Sequence, residues 1–280
     1  MTTLPRKISA LFSGTLYRFR MLSLSALHFS ALGWLAVAGG ALGIGLNKGG
    51  LTGLGILPVL LFAVVLDPRQ STGFVLPLLI IGDICAVVIY HRVVLWKVFW
   101  SLLPPALVGI IIGYLLMGPI EIGGVRLGIP AAIYGRIIGW LILALIALQL
   151  VRGAYGEKLD RFFESRGFGI GMGVLSGIAT MLANAAGPVA TLYFLSVGLP
   201  KWNLIGTSAF LFFVINLSKV PLSMSLGLTN ALSLTMALVL LPLVVLGFFC
   251  GKKLATILPQ KIFDRFLLVC TAIGALRLID

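Results

Sequence analysis

Apolar stretches long enough to cross a bilayer follow one another along almost the whole chain, and no single soluble core can hide so many. Runs at about 27–46, 71–90, 98–117, 130–151, 204–226, 229–250 and 262–279 each suit a helix spanning ~30 Å of hydrocarbon, whereas 51–66, 168–182 and 185–198 are shorter. Of 280 residues 60% are hydrophobic and 10% charged, and the mean hydropathy is +1.13. The fold class this dictates is all-α, a polytopic helical membrane protein.

Two of these apolar regions are interrupted by small and polar residues. The first interruption reads Gly45-Leu-Asn-Lys-Gly-Gly-Leu-Thr-Gly-Leu-Gly55 and the second Thr180-Met-Leu-Ala-Asn-Ala-Ala-Gly-Pro188. Backbone that leaves a helix inside lipid has to be buried in protein or line a wet cavity, so broken or re-entrant helices are expected at both places. Other features return in the same order. Asp67-Pro68-Arg69 is echoed by Leu199-Pro200-Lys201, and the Pro105, Gly109, Gly113 series by Pro242, Gly247, Gly251. Two repeats are the expected architecture, with a binding site between them. The domain plan is a basic interfacial arm at 1–26, a first membrane repeat at 27–152, a polar connecting loop at 153–166 and a second membrane repeat at 167–280.

The formal charge of +13 comes from Lys and Arg spread over loops and ends, without a cluster interleaved with aromatics, so no nucleic-acid partner is implied. The lipid bilayer is the partner that this distribution fits, through cytoplasmic anchoring of basic loops. The N-terminus has no early apolar region, so a cleavable signal peptide is not expected. Loops 91–97, 152–166 and 252–265 are basic, 223–229 carries no charge, and the arm before residue 27 is basic again. Ten full crossings place both ends in the cytoplasm, but inversion of five plus five crossings then conflicts with the charge of 152–166. A re-entrant short segment reconciles the two, and the sequence leaves open which segment it is.

Polar groups within the apolar segments are the candidate chemistry, since a central charge costs ~2.5–3.5 kcal/mol to insert. Lys48 at the first break suits an anion ligand or, as for Lys219, a lysine snorkelling to an interface, and Asn184 at the second offers donors and acceptors or a cap for a broken helix. Asn216 and Lys219 share a helix face, with Ser208 close to it. Asp83, mid-helix in the first half, is either a proton carrier or the partner of a lysine. Cys85, Cys250 and Cys270 lie in apolar segments without metal-binding spacing and read as small hydrophobes. A membrane enzyme is disfavoured, because His28 and His91 both sit at segment ends.

The series Lys48-Gly49-Gly50-x-x-Gly53-x-Gly55, the helix from Leu76-Pro77 to Asp83, Thr180 to Pro188, Gly198-Leu-Pro-Lys201, Gly206-Thr207 and Asn216-x-x-Lys219-x-Pro221 resembles the sulfite exporter TauE/SafE family over about residues 30–279. This chain departs from the family's Gly-Gly-Gly form at the first break in carrying Lys48 there. The resemblance implies transport of sulfite or an organosulfonate across the cytoplasmic membrane by a multi-pass protein without a cofactor. The substrate-binding set expected is Lys48, Gly49, Gly50, Asn184, Thr207, Ser208, Asn216 and Lys219, with Asp83 as the site of proton coupling. Export is the expected direction. Uptake of a sulfonate and passive anion flux are the alternatives, and oligomeric state stays open.

Overall fold

The computed structural model describes residues 29–55, 68–118 and 165–279, together with scattered positions in 58–66 and 121–147. The expected arm at 1–26 and the connecting loop up to residue 164 lie outside the described residues, as does most of the segment at 130–151. The helices are α1 (Ala31–Lys48), α2 (Pro68–Tyr90), α3 (Trp96–Met117), α4 (Arg166–Ala183), α5 (Ala186–Ser196), α6 (Lys201–Ser225), α7 (Ala231–Ile257) and α8 (Gln260–Ile279). Five described helices are long and apolar enough to cross a membrane, namely α2, α3, α4, α6 and α7. The only described strands are a two-residue antiparallel pair, Glu121–Ile122 with Val125–Arg126. The all-helical membrane class follows directly from the apolar runs.

Local chemistry fixes the helix ends. Ser30 and Ser165 each accept a hydrogen bond from the amide three residues on, which caps α1 and α4. Asn230 and Ser233 form a reciprocal capping box at the start of α7. Asn184 closes α4 in the left-handed conformation, at φ 51°, and is the only described non-glycine residue with positive φ.

Each interruption is the tip of a helical hairpin. After α1 the chain turns through a 3-10 segment, Thr52–Gly55, and comes back along the same helix, where β-carbons at Gly43, Gly40 and Gly33 would meet Pro58, Phe62 and Val65 in turn. After α4, helix α5 returns so that Ser176 faces the Ala186 carbonyl and Gly169 faces Tyr193. Eleven residues make α5 about 16 Å long, well short of a crossing. Both short limbs are therefore return limbs, and the count of ten full crossings does not hold. The two tips meet, since a β-carbon on Gly187 would lie 3.9 Å from the Thr52 carbonyl.

Helix directions follow from contact order. α1, α2 and α7 run one way: Ile44 lies by Gly82 and Gly49 by Tyr90, while Leu42 and Gly49 lie by Gly247 and Phe248. α3, α4 and α6 run the other way, Leu95 bonding Thr207 and Tyr114 bonding Ser225, with Leu102 by Gly173 and Gly113 by Met181. α2 and α6 are antiparallel, as Gly73 meets Leu228 and Tyr90 meets Gly206. The two hairpins consequently enter from opposite faces. The basic loop at 91–97, the start of α4 and the end of α7 share one face, and the start of α1 and the uncharged turn at 226–230 lie on the other.

Glycines let these helices touch backbone to backbone. A β-carbon at Gly45 would strike the Val244 carbonyl, the Phe248 amide and, at 2.8 Å, the Gly247 α-carbon of α7. One at Gly177 would strike the Ala106 carbonyl, the Ile110 amide and, also at 2.8 Å, the Gly109 α-carbon of α3. Each broken helix thus packs on the Pro-and-Gly helix of the other half, through small residues as membrane helices commonly do.

Candidate functional site

Where the hairpin tips pass α2 and α6, polar side chains collect in an interior that is otherwise apolar. Lys48, in the last turn of α1, reaches α2, and its Nζ lies 2.5 Å from Asp83 Oδ1. Asn216 of α6 donates from Nδ2 to Asp83 Oδ2 at 2.7 Å. The Lys48 ammonium also lies 4.9 Å from the centre of the Phe212 ring, a cation–π contact. Asp83 is fully buried, and Lys48 is 7% exposed. The carboxylate that the sequence left between two roles therefore has a lysine partner.

Lys219 belongs to the second tip. Its ammonium donates to the Thr180 carbonyl at 2.7 Å, to Thr180 Oγ1 at 3.2 Å and to Asn184 Oδ1 at 2.6 Å. Asn184 in turn donates from Nδ2 to the Thr72 carbonyl at 3.0 Å, tying the tip to the second turn of α2. At 2% exposure Lys219 does not snorkel to an interface. Its partners are all neutral oxygens, and among the described residues it has no carboxylate partner. With all three groups ionised, two lysines and one aspartate leave a net positive charge at the centre of the molecule.

Next to Lys219 begins α5, whose first turn receives no side-chain cap. The amides of Ala186 and Gly187 therefore add the positive end of a helix dipole to the same place. Proline at 188 has no amide to contribute.

The remaining expected residues divide. Ser208, Phe212, Asn216 and Lys219 lie on one face of α6, and the Ser208 hydroxyl is 2% exposed without a hydrogen-bonding partner among the described residues. Thr207, one residue earlier, points elsewhere and accepts from the Leu95 amide at 3.0 Å, fastening α6 to the start of α3. Gly49 presents its carbonyl to the Tyr90 hydroxyl at 2.5 Å, and Gly50 adopts φ 137° with Ala255 where a side chain would be. Those two glycines shape the tip rather than offer side-chain ligands. Thr180, Thr72, Tyr90 and Phe212 were not singled out in the sequence. Thr180 stood within the second break and was the one detectable there.

Apolar helices of crossing length around a buried cluster of charged and polar side chains define a multi-pass membrane protein. The family model described as Sulfite exporter TauE/SafE matches residues 31–278, nearly the whole chain, and the chain belongs to that family. It is accordingly a membrane transporter and not an enzyme. No match was found among curated proteins or solved structures.

Proposed function

We propose that the protein is a secondary transporter that exports sulfite, or a small organosulfonate of the same head-group chemistry, across the cytoplasmic membrane. The observation that carries this is Lys219, a buried ammonium held only by neutral oxygens beside the uncapped start of α5. An oxyanion there gains a counter-charge and two backbone amides in a water-poor setting, where charge-assisted bonds are strongest. Asn184, Asn216 and Ser208 supply further hydrogen bonds, and Lys48 becomes a second cationic ligand when Asp83 lets it go. A proton arriving on Asp83 would do that, since a neutral carboxyl no longer holds the Lys48 ammonium. The charged groups facing Asp83 are Lys48 from α1 and, further off, Lys219 from α6.

The matched glycine contacts of Gly45 and Gly177, together with hairpins of opposite direction, support two inverted repeats, 27–152 and 167–280. Alternating access then consists of opening one hairpin tip at a time.

The test is flux of labelled sulfite and a small sulfonate in proteoliposomes, with and without a pH gradient, for wild type and Lys219→Met. Saturable, gradient-driven flux lost in the variant is the expected outcome. Flux no greater than in empty liposomes would sink the substrate assignment, and non-saturable flux indifferent to the gradient would make the protein a channel.

A further inference from the structure

The first hairpin tip carries two polar side chains that the anion site does not use. Asn47 Oδ1 and Thr52 Oγ1 are buried and have no hydrogen-bonding partner among the described residues, with Asn47 8% and Thr52 7% exposed. Buried oxygens of this kind are rare, because each forfeits its bonds to water. Both belong to the same short tip. Asn47 lies on the side of α1 that carries Gly40 and Gly43, turned toward the returning limb, and a β-carbon at Gly55 would stand 3.5 Å from both Asn47 Oδ1 and Nδ2. Gly55 closes the 3-10 turn that Thr52 opens, so the turn that carries Thr52 Oγ1 is the one that abuts the Asn47 amide.

The first tip favours a cation through its own helix end, against the positive start of α5 that meets it at Gly187. It lies at the C-terminal end of α1, where the helix dipole is negative and where the Gly45, Leu46, Asn47 and Gly49 carbonyls each already accept one hydrogen bond, leaving each a second lone pair. Lys48, the neighbouring cation, is turned to α2 and neutralised by Asp83. Neutral side-chain oxygens beside the carbonyl end of a broken helix suit a small monovalent cation. We propose that Asn47 Oδ1, Thr52 Oγ1 and carbonyls of the first tip bind a sodium ion that is moved together with the anion. Thr52 lies beside Gly187 of the second tip, so an ion there sits where the two hairpins touch and ties its occupancy to that of the anion site. The coupling role rests on the transporter reading given above, whereas the binding site itself does not.

The test uses the purified full-length chain. Thermal unfolding is followed in NaCl against choline chloride at equal ionic strength, with LiCl and KCl alongside, and flux of the labelled anion is then measured in proteoliposomes with sodium or choline at a fixed pH gradient. A ligand that binds only the folded state raises Tm with concentration. Sodium is expected to raise Tm in a saturable manner and choline not to do so. Thr52→Val and Asn47→Ala should weaken the sodium response about tenfold or more, the scale of one lost ligand, and Thr52→Ser should keep it. Flux should fall when choline replaces sodium. Equal Tm responses to sodium and choline overturn the site, as does a monodisperse Thr52→Val chain with the wild-type sodium response. Sodium-independent flux with a sodium-specific Tm response overturns the coupling alone. Absence of flux under every condition, with that Tm response intact, is instead the failure of the transporter reading.

Discussion

Lys48 and Asp83 hold each other across the contact between α1 and α2, and Asn216 of α6 satisfies the other carboxylate oxygen. One carboxylate therefore joins the first hairpin to both antiparallel helices at the centre. Removing one partner of a buried ion pair leaves the other unpaired, at about 3–5 kcal/mol, while replacing both with apolar residues is close to neutral. Asp83→Ala should lower Tm strongly, and the double variant Lys48→Met with Asp83→Leu should recover much of the loss and still fail to transport. Differential scanning of both variants, with flux alongside, checks this. A double variant no more stable than Asp83→Ala would contradict the pairing.

Lys219 is expected to affect binding more than folding, since its partners are neutral. Losing a charge-assisted contact of ~1.5–3 kcal/mol raises the half-saturating anion concentration by about 10- to 150-fold. Kinetics of Lys219→Met over a range of anion concentrations read that shift directly. A variant with wild-type half-saturation would remove Lys219 from the site.

Asn184 has two separable duties, its left-handed backbone and its side-chain bonds to Lys219 and Thr72. Asn184→Gly keeps the first and loses the second, so it should stay folded with reduced transport. Asn184→Val loses both and adds a left-handed penalty of roughly 1–2 kcal/mol. Comparing expression, Tm and flux of the pair separates the duties. Equal Tm values would show that the φ of 51° carries no cost for a branched side chain.

Gly45 and Gly177 should respond alike to enlargement, because each abuts an α-carbon of the opposing helix at 2.8 Å from where a β-carbon would be. Gly45→Leu and Gly177→Leu should both prevent stable folding, whereas Gly171→Ala, with nothing within 4 Å, should be silent. Fluorescence-detected size exclusion of the three variants suffices. A monodisperse Gly45→Leu beside an aggregated Gly177→Leu would break the equivalence.

Helix directions give a sidedness prediction. In a background without Cys85, Cys250 and Cys270, cysteines placed at Lys97 and Lys253 should react with an impermeant thiol reagent from one face, and one at Gly227 from the other. Of the native three, Cys250 is exposed on the described surface and not a core residue, so its removal matters most. Labelling of all three positions from a single face would refute the arrangement.

Both breaks were legible in the sequence, because Lys48-Gly49-Gly50 and Asn184 are conspicuous within apolar surroundings. The polar face of α6 was legible too, since Asn216 and Lys219 stand three apart. Which lysine takes Asp83 was not, because helical spacing says nothing about contacts between helices far apart in sequence. Thr207 and Ser208 were grouped although neighbours on a helix point about 100° apart, and the structure separates them accordingly. That 51–66 and 185–198 are return limbs was not legible either, because both are apolar enough to resemble spans and only their packing against α1 and α4 tells them apart.

The exchange of broken helices between halves also bears on how the chain is made. Gly45 seats on Gly247, so about 200 residues have to be synthesised after α1 before its partner exists, tens of seconds at ~5–20 residues per second. Throughout that interval α1 waits in the bilayer with its Gly45 and Gly49 face uncovered. A ribosome stalled before α7 leaves a fragment in which the Gly45 face of α1 has no partner, which makes such truncated products the natural prey of membrane quality control.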